Sequence, residues 1–167
     1  MIRFPYRAFR NVKIAPSLAP LDGPLVRYRP VIPLRVIAPT PASRSVRVGD
    51  AFADPGCDVT VVQRGLLRPL GPISFIHQMN HQWKGNVYCV RFALLRLEIF
   101  DGATTLMWPA PVGFTDAPIP YGCLLGLTGF FEFMDVHFFG SDRTLEIEPN
   151  PLFHAAGGTS RTSASSA

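Results

Sequence analysis

Short runs of β-branched and apolar residues, each closed by proline, glycine or an acidic turn, constrain this chain more than any other feature. Pro30 to Ile37 is such a run, and Ser45-Val46-Arg47-Val48 alternates polar and apolar residues as a half-buried strand does. The cluster Pro39-Thr40-Pro41-Ala42-Ser43 turns the chain between them. Asp58 to Val62, Ile73 to Ile76, Asn86 to Phe92, Leu95 to Phe100 and Thr105 to Phe114 continue the pattern, with Asp101-Gly102 as a two-residue hairpin turn. Asp135 to Phe139 and Arg143 to Glu148 form a last hairpin about Gly140-Ser141-Asp142. Gln63 to Leu70 suits one helical turn, Pro118 to Tyr121 a loop, and Gly129 to Met134 one short C-terminal helix. Many short strands and little helix predict an all-β domain. There is no βαβ alternation, no glycine-rich phosphate loop and no internal repeat.

The chain has 167 residues, the length of one domain with one core. Its apolar share of 47% supplies that core and argues against a disordered chain. Residues 1–28 are rich in Pro, Ala and Arg, and Pro16, Pro20 and Pro24 bar a helix, so an extended arm with at most one edge strand is expected. The domain proper then spans 29–153, and residues 154–167, mostly Gly, Ser, Thr and Ala, form a disordered tail. The net charge of +4 comes almost entirely from arginine, loosely grouped at Arg3, Arg7, Arg10, Arg27 and Arg29. Without a basic stripe or a known module, no nucleic-acid partner is expected. Three distant cysteines do not make a disulfide framework and suit reduced thiols in a cytoplasmic protein. The N-terminus lacks the apolar core of a signal peptide, and no run is long enough to span a membrane.

The stretch that carries chemistry is Asp54-Pro55-Gly56-Cys57-Asp58-Val59-Thr60-Val61-Val62. An acid followed two places later by glycine, at a bend between strands, presents its carboxylate at that bend, and the glycine lets backbone amides close around it. Two such carboxylates brought face to face cannot both ionise easily and share a proton. The pair then acts as general base on water and general acid on an amide. Asp54 taken alone reads more simply as a turn residue bonding its own backbone.

The order of two motifs decides between these. Asp54, Gly56, Asp58, Thr60 and Val61, followed downstream by Leu124-Leu125-Gly126 and Leu127-Thr128-Gly129-Phe130, resemble the retropepsin-like aspartic proteases, more the bacterial than the viral members, over about Pro30 to Asn150. The resemblance implies a closed β-barrel lobe with Asp54 as the catalytic acid on the loop Asp54-Pro55-Gly56-Cys57. It further implies a homodimer that pairs two Asp54 side chains, a peptide or protein substrate, and no cofactor or metal. Asp58 would lie near the substrate backbone. A flap over the substrate falls around Met79 to Asn86, with His81, Trp83 and Gly85 near its tip. Leu124, Leu125 and Gly126 would be the structural second motif. Three positions depart from the family pattern: Pro55 replaces its Thr or Ser, Leu127 replaces a frequent Arg, and Cys57 replaces the usual Ala. These departures keep open a catalytically inactive relative serving as a peptide-binding or structural module.

Other residues carry weaker signals. His77 and His81 would share one face of a helix and, with Cys57 or Cys89, bind zinc, but they fall in a strand or loop and no paired-ligand spacing is present. Phe130, Phe131, Phe133, Phe138 and Phe139 are expected in the core or a dimer contact.

Overall fold

The computed structural model describes residues 1–10, 26–39, 44–83 and 85–163. The molecule is mostly β. In chain order the strands are β1 (Ile2–Pro5), β2 (Arg7–Arg10), β3 (Val26–Arg29), β4 (Val31–Ile37), β5 (Ser45–Ala53), β6 (Val61–Gln63) and β7 (His77–Trp83). They continue with β8 (Asn86–Phe100), β9 (Thr104–Thr115), β10 (Cys123–Leu125), β11 (Met134–Phe139), β12 (Thr144–Pro149) and β13 (Thr159–Thr162). One α-helix, α1, spans Pro151–Ala155.

The large sheet runs β13-β9-β6-β10-β5-β4-β8-β7, and β9 also pairs with β8. Strands β9, β6, β10, β5, β4 and β8 therefore form a closed ring, which leaves no open edge within it. Alternation along β8 and β9 turns Leu95, Leu97 and Ile99 toward Leu106, Trp108 and Ala110, all fully buried. Trp108 is the central side chain, and its Nε1–H donates to the Gly129 carbonyl at 3.0 Å, so the large ring is buried without an unpaired donor. Phe130 and Phe153 pack on it with centroids 6.1 and 6.2 Å away.

A separate three-stranded antiparallel sheet, β1-β12-β11, closes one side. Ile2 and Phe4 of β1 point into the core, so the start of the N-terminal segment belongs to the domain. Arg3 and Glu146 form an ion pair across β1 and β12. The β2–β3 ladder gathers Arg7, Arg10, Arg27 and Arg29 on two strands, and Arg7 is tied to the body by an ion pair to Asp50 of β5. Residues 11–25, including Pro16, Pro20 and Pro24, lie outside the described residues, as do 40–43 of the first expected turn.

Several expectations are corrected. Ile73 to Ile76 is not a strand; it is extended, with Ile76 N–H donating to Phe92 C=O at 2.8 Å, and the strand is the polar His77–Trp83. The two runs Asn86 to Phe92 and Leu95 to Phe100 are one strand of 15 residues, because Ala93 and Leu94 continue the ladder. Gly129 to Met134 is not helical: Gly129 sits at φ 93°, and its N–H is taken by the Glu132 carboxylate at 2.9 Å. The short helix lies later, where Asn150 caps the N–H groups of Leu152 and Phe153 and Pro151 opens the first turn. The expected disordered tail is folded through Ser163, since α1 leads into β13, which pairs with Thr104–Met107 of β9. Only 164–167 of that tail lie outside the described residues.

Candidate active site

Strand β5 delivers Asp54 to the end of the ring, where β10 is inserted between β5 and β6, parallel to the first and antiparallel to the second. The two halves of the Asp54 segment therefore flank a strand from the distant C-terminal half. Asp54 N–H donates to the Leu125 carbonyl at 3.0 Å, which anchors the acid to β10. The loop then reverses within a single turn. Gly56 N–H donates to Asp54 Oδ1 at 3.1 Å, and Cys57 N–H donates to the Asp54 carbonyl at 3.0 Å. Pro55 occupies the first central position of that turn, where a fixed φ is favoured and no N–H is required. Within one copy, Pro55 thus fits its place. Asp54 is half-buried, while Pro55 and Gly56 are exposed.

The second motif locks onto the far limb of this loop. Leu127 N–H donates to the Cys57 carbonyl at 2.8 Å, Thr128 N–H to the Asp58 carbonyl at 2.9 Å, and Thr60 N–H back to the Thr128 carbonyl at 2.8 Å. Gly126 N–H donates to Thr60 Oγ1 at 3.1 Å, although the two residues are 66 positions apart. Gly126 is buried, and a Cβ there would lie 2.5 Å from the Val59 carbonyl carbon and 2.6 Å from the Cys57 oxygen. Glycine is the residue that lets the strands meet so closely. Leu124 and Leu125 are fully buried on β10, whereas Leu127 is exposed. Chain reversal into β10 uses Tyr121 at φ 58° and Gly122 at φ 74°, and the Tyr121 ring packs between Phe9 (4.9 Å) and Phe52 (5.4 Å).

A small apolar pocket joins the loop to the β7–β8 hairpin. Cys57, Val59, Val61 and Leu124 form its floor, and His81, Trp83 and Tyr88 of the hairpin form its opposite wall. Free space inside is about 20 Å³, room for about one water. The indole Nε1–H of Trp83 is buried there without a hydrogen-bond partner among the described residues. Gly85, at φ 81°, makes the exposed tip of the hairpin next to Lys84, which lies outside the described residues. Of the expected site residues, the fold brings Asp54, Cys57 and Trp83 to one region and sets Leu124, Leu125 and Gly126 behind them. Asp58 is exposed and serves the loop through its carbonyl, and Gly85 stands at the exposed tip of the hairpin. Sequence reasoning placed Thr60 in the acid motif without giving its hydroxyl a role, and passed over Tyr88 and Ile119, which also line the pocket.

Burial raises the Cys57 thiol above its ordinary pKa, with the charges of Asp54 and Asp58 adding to the effect and the bond from Sγ to the Val59 carbonyl (3.1 Å) opposing it. Complete burial raises Cys123 further. Neither thiol is a nucleophile near neutral pH. His77 and His81 lie on a strand rather than a helix, about 13 Å apart at the usual rise. No group of three or more His, Cys, Asp or Glu side chains among the described residues is arranged to hold a metal. No helix there is long and apolar enough to cross a membrane. The arrangement offers one positioned carboxylate beside an apolar pocket under a hairpin. Compared with known proteins, the chain matches no family model and no curated protein.

Proposed function

We propose that the chain is one subunit of a retropepsin-like aspartic endopeptidase that hydrolyses peptide bonds as a homodimer, each copy contributing Asp54. The observation that carries this is the insertion of β10 between β5 and β6, which ties Asp54 N–H to Leu125 C=O and seats Gly126 against residues 57–59. Such a brace holds one carboxylate at the rim of a closed barrel, and a twofold-related copy supplies the other. One ionised carboxylate takes a proton from water as its oxygen attacks the scissile carbonyl carbon. The other, protonated, gives its proton to the departing amide nitrogen. The β7–β8 hairpin, whose Trp83 and Tyr88 stand over Cys57, covers the substrate.

Pro55 and Leu127 favour a second reading, a non-catalytic relative that binds peptides. Pro55 fits its own turn yet has no hydroxyl to bond a partner's loop. Cleavage of a peptide library at mildly acidic pH separates the two. The protease reading expects products from the natural protein and a fall of at least about a hundredfold in Asp54→Asn. Activity that arises only after Pro55→Thr supports the non-catalytic reading, and equal cleavage with or without Asp54 refutes the protease.

A further inference from the structure

The geometry points to β11 as the strand through which two copies join, forming one continuous six-stranded sheet from the two β1-β12-β11 sheets. This rests on the reading that Asp54 needs a twin, and it names the surface that supplies it. β11 is an edge: one side pairs with β12 and the other pairs with no described strand. Its hydrogen-bonding parity is fixed by its neighbour. Asn150 N–H donates to Phe133 C=O at 3.1 Å, so Phe133 and Asn150 are a bonded pair in the register Met134↔Pro149. Bonded pairs alternate in an antiparallel ladder, so Asp135, His137 and Phe139 spend their amides on β12. Met134, Val136 and Phe138 then turn their N–H and C=O groups outward. Pro149, which has no N–H, stands opposite Met134, where the ladder asks for none.

Those outward groups complement themselves. An antiparallel twofold centred on Val136 sets Val136 against its own copy and Met134 against Phe138 of the other, using every outward amide of the strand. The same register sets Asp135 opposite His137 of the second copy, twice. Shifting the axis to Asp135 or to His137 shortens the ladder and faces a carboxylate or an imidazole with itself. Asp135 gains most, because its neighbour on β12 is Glu148, a like charge. Apolar surface agrees: Phe138 and Phe139 are 41% and 39% exposed on this edge. An exposed edge strand with aromatic side chains is a template for pairing with another chain. Other edges fit a second copy less well. β1 is four residues ending in Pro5, self-pairing of β2 or β3 would align arginines, β13 is four residues with no apolar side chain, and β7 belongs to the hairpin whose His81 and Trp83 face the acid loop's pocket.

The test is sedimentation of the full chain across a concentration series. Val136→Pro removes an outward amide that β12 does not use, so the subunit folds while the dimer dissociation constant rises at least about thirtyfold. Asp135→Lys weakens the dimer as well, and Asp135→Lys with His137→Glu restores it. Circular dichroism and a cooperative melt confirm that each variant is folded. A strictly monomeric natural protein overturns the inference, as does a folded Val136→Pro variant that dimerises unchanged, or a double variant no better than the single. Peptide cleavage is scored separately. A Val136→Pro protein that still dimerises and cleaves removes this surface and leaves the protease intact; a β11-dependent dimer that never cleaves does the reverse.

Discussion

Replacing Gly126 by alanine tests the brace behind Asp54. The new methyl would approach the Val59 carbonyl carbon to 2.5 Å and the Cys57 oxygen to 2.6 Å, where ordinary contact begins near 3.4 Å. These are backbone atoms of a loop limb bonded to Leu127 and Thr128, so no rotamer relieves the clash. Residues 57–59 must retreat by roughly 1 Å, a typical overpacking strain of about 1–3 kcal/mol. That retreat carries Leu127 N–H from the Cys57 carbonyl, now at 2.8 Å, and Thr128 N–H from the Asp58 carbonyl, now at 2.9 Å, beyond bonding range. Each lost bond adds about 1 kcal/mol, for a total near 3–5 kcal/mol. For a domain of this size that lowers the melting midpoint by roughly 6–20 °C. Gly49→Ala is the control: it lies on β5 with open space around its would-be Cβ, and its stability should move by no more than about 0.5 kcal/mol. Urea and thermal melts of both variants settle the matter. If they shift together, the close approach at Gly126 does not hold the loop.

Thr60→Val leaves the buried Gly126 N–H without its acceptor and should cost about 1–3 kcal/mol in urea melts, with Thr60→Ser recovering most of it. Asn150→Ala removes the cap of α1 and a bond from Nδ2 to the Glu132 carbonyl, and should cost about 1–2 kcal/mol by the same assay. Alkylation of the native protein near neutral pH should label exposed Cys89 first, Cys57 slowly and Cys123 only on unfolding, as mass spectrometry of timed samples will show. Half-buried Cys57 and buried Cys123 both have raised pKa values, so the folded chain keeps protons that the unfolded chain releases above the ordinary thiol value of 9.0. Their contribution to stability is therefore complete below that value and lost as pH climbs past it, so melts at alkaline pH should fall less steeply in Cys123→Ala than in the natural protein.

Where a strand buries one face against the ring, its residues announced it. The β-branched run of β4 and the alternation that opens β5 appear in the structure at the expected places, whereas of the run Asp58 to Val62 only Val61 and Val62 are strand, the rest being the limb of the acid loop. β7 and β13 were illegible for the same reason turned around: His77–Trp83 and Thr159–Thr162 bury almost nothing, and a ladder of backbone bonds alone leaves no hydrophobic period. Asn150-Pro151 carried a helix-start signal that was passed over in favour of the aromatic run after Gly129, where a left-handed glycine forbids a helix. At the site, the acid and the apolar-apolar-glycine triplet were visible as motifs. Their contact was not, since only the fold brings Gly126 to Thr60 Oγ1. The unpaired indole of Trp83 likewise depends on which way a hairpin leans, a tertiary matter no local pattern encodes.

Insertion of β10 also sets a timetable for the newborn chain. While the ribosome has yet to release Cys123 to Gly126, the bend at Asp54 lacks both its anchor and its back wall, and non-local closure of this kind is slow even once the whole polypeptide is free. A half-made protein of this design therefore lacks an organised Asp54 bend, and one cut short before that triplet has no means of building it.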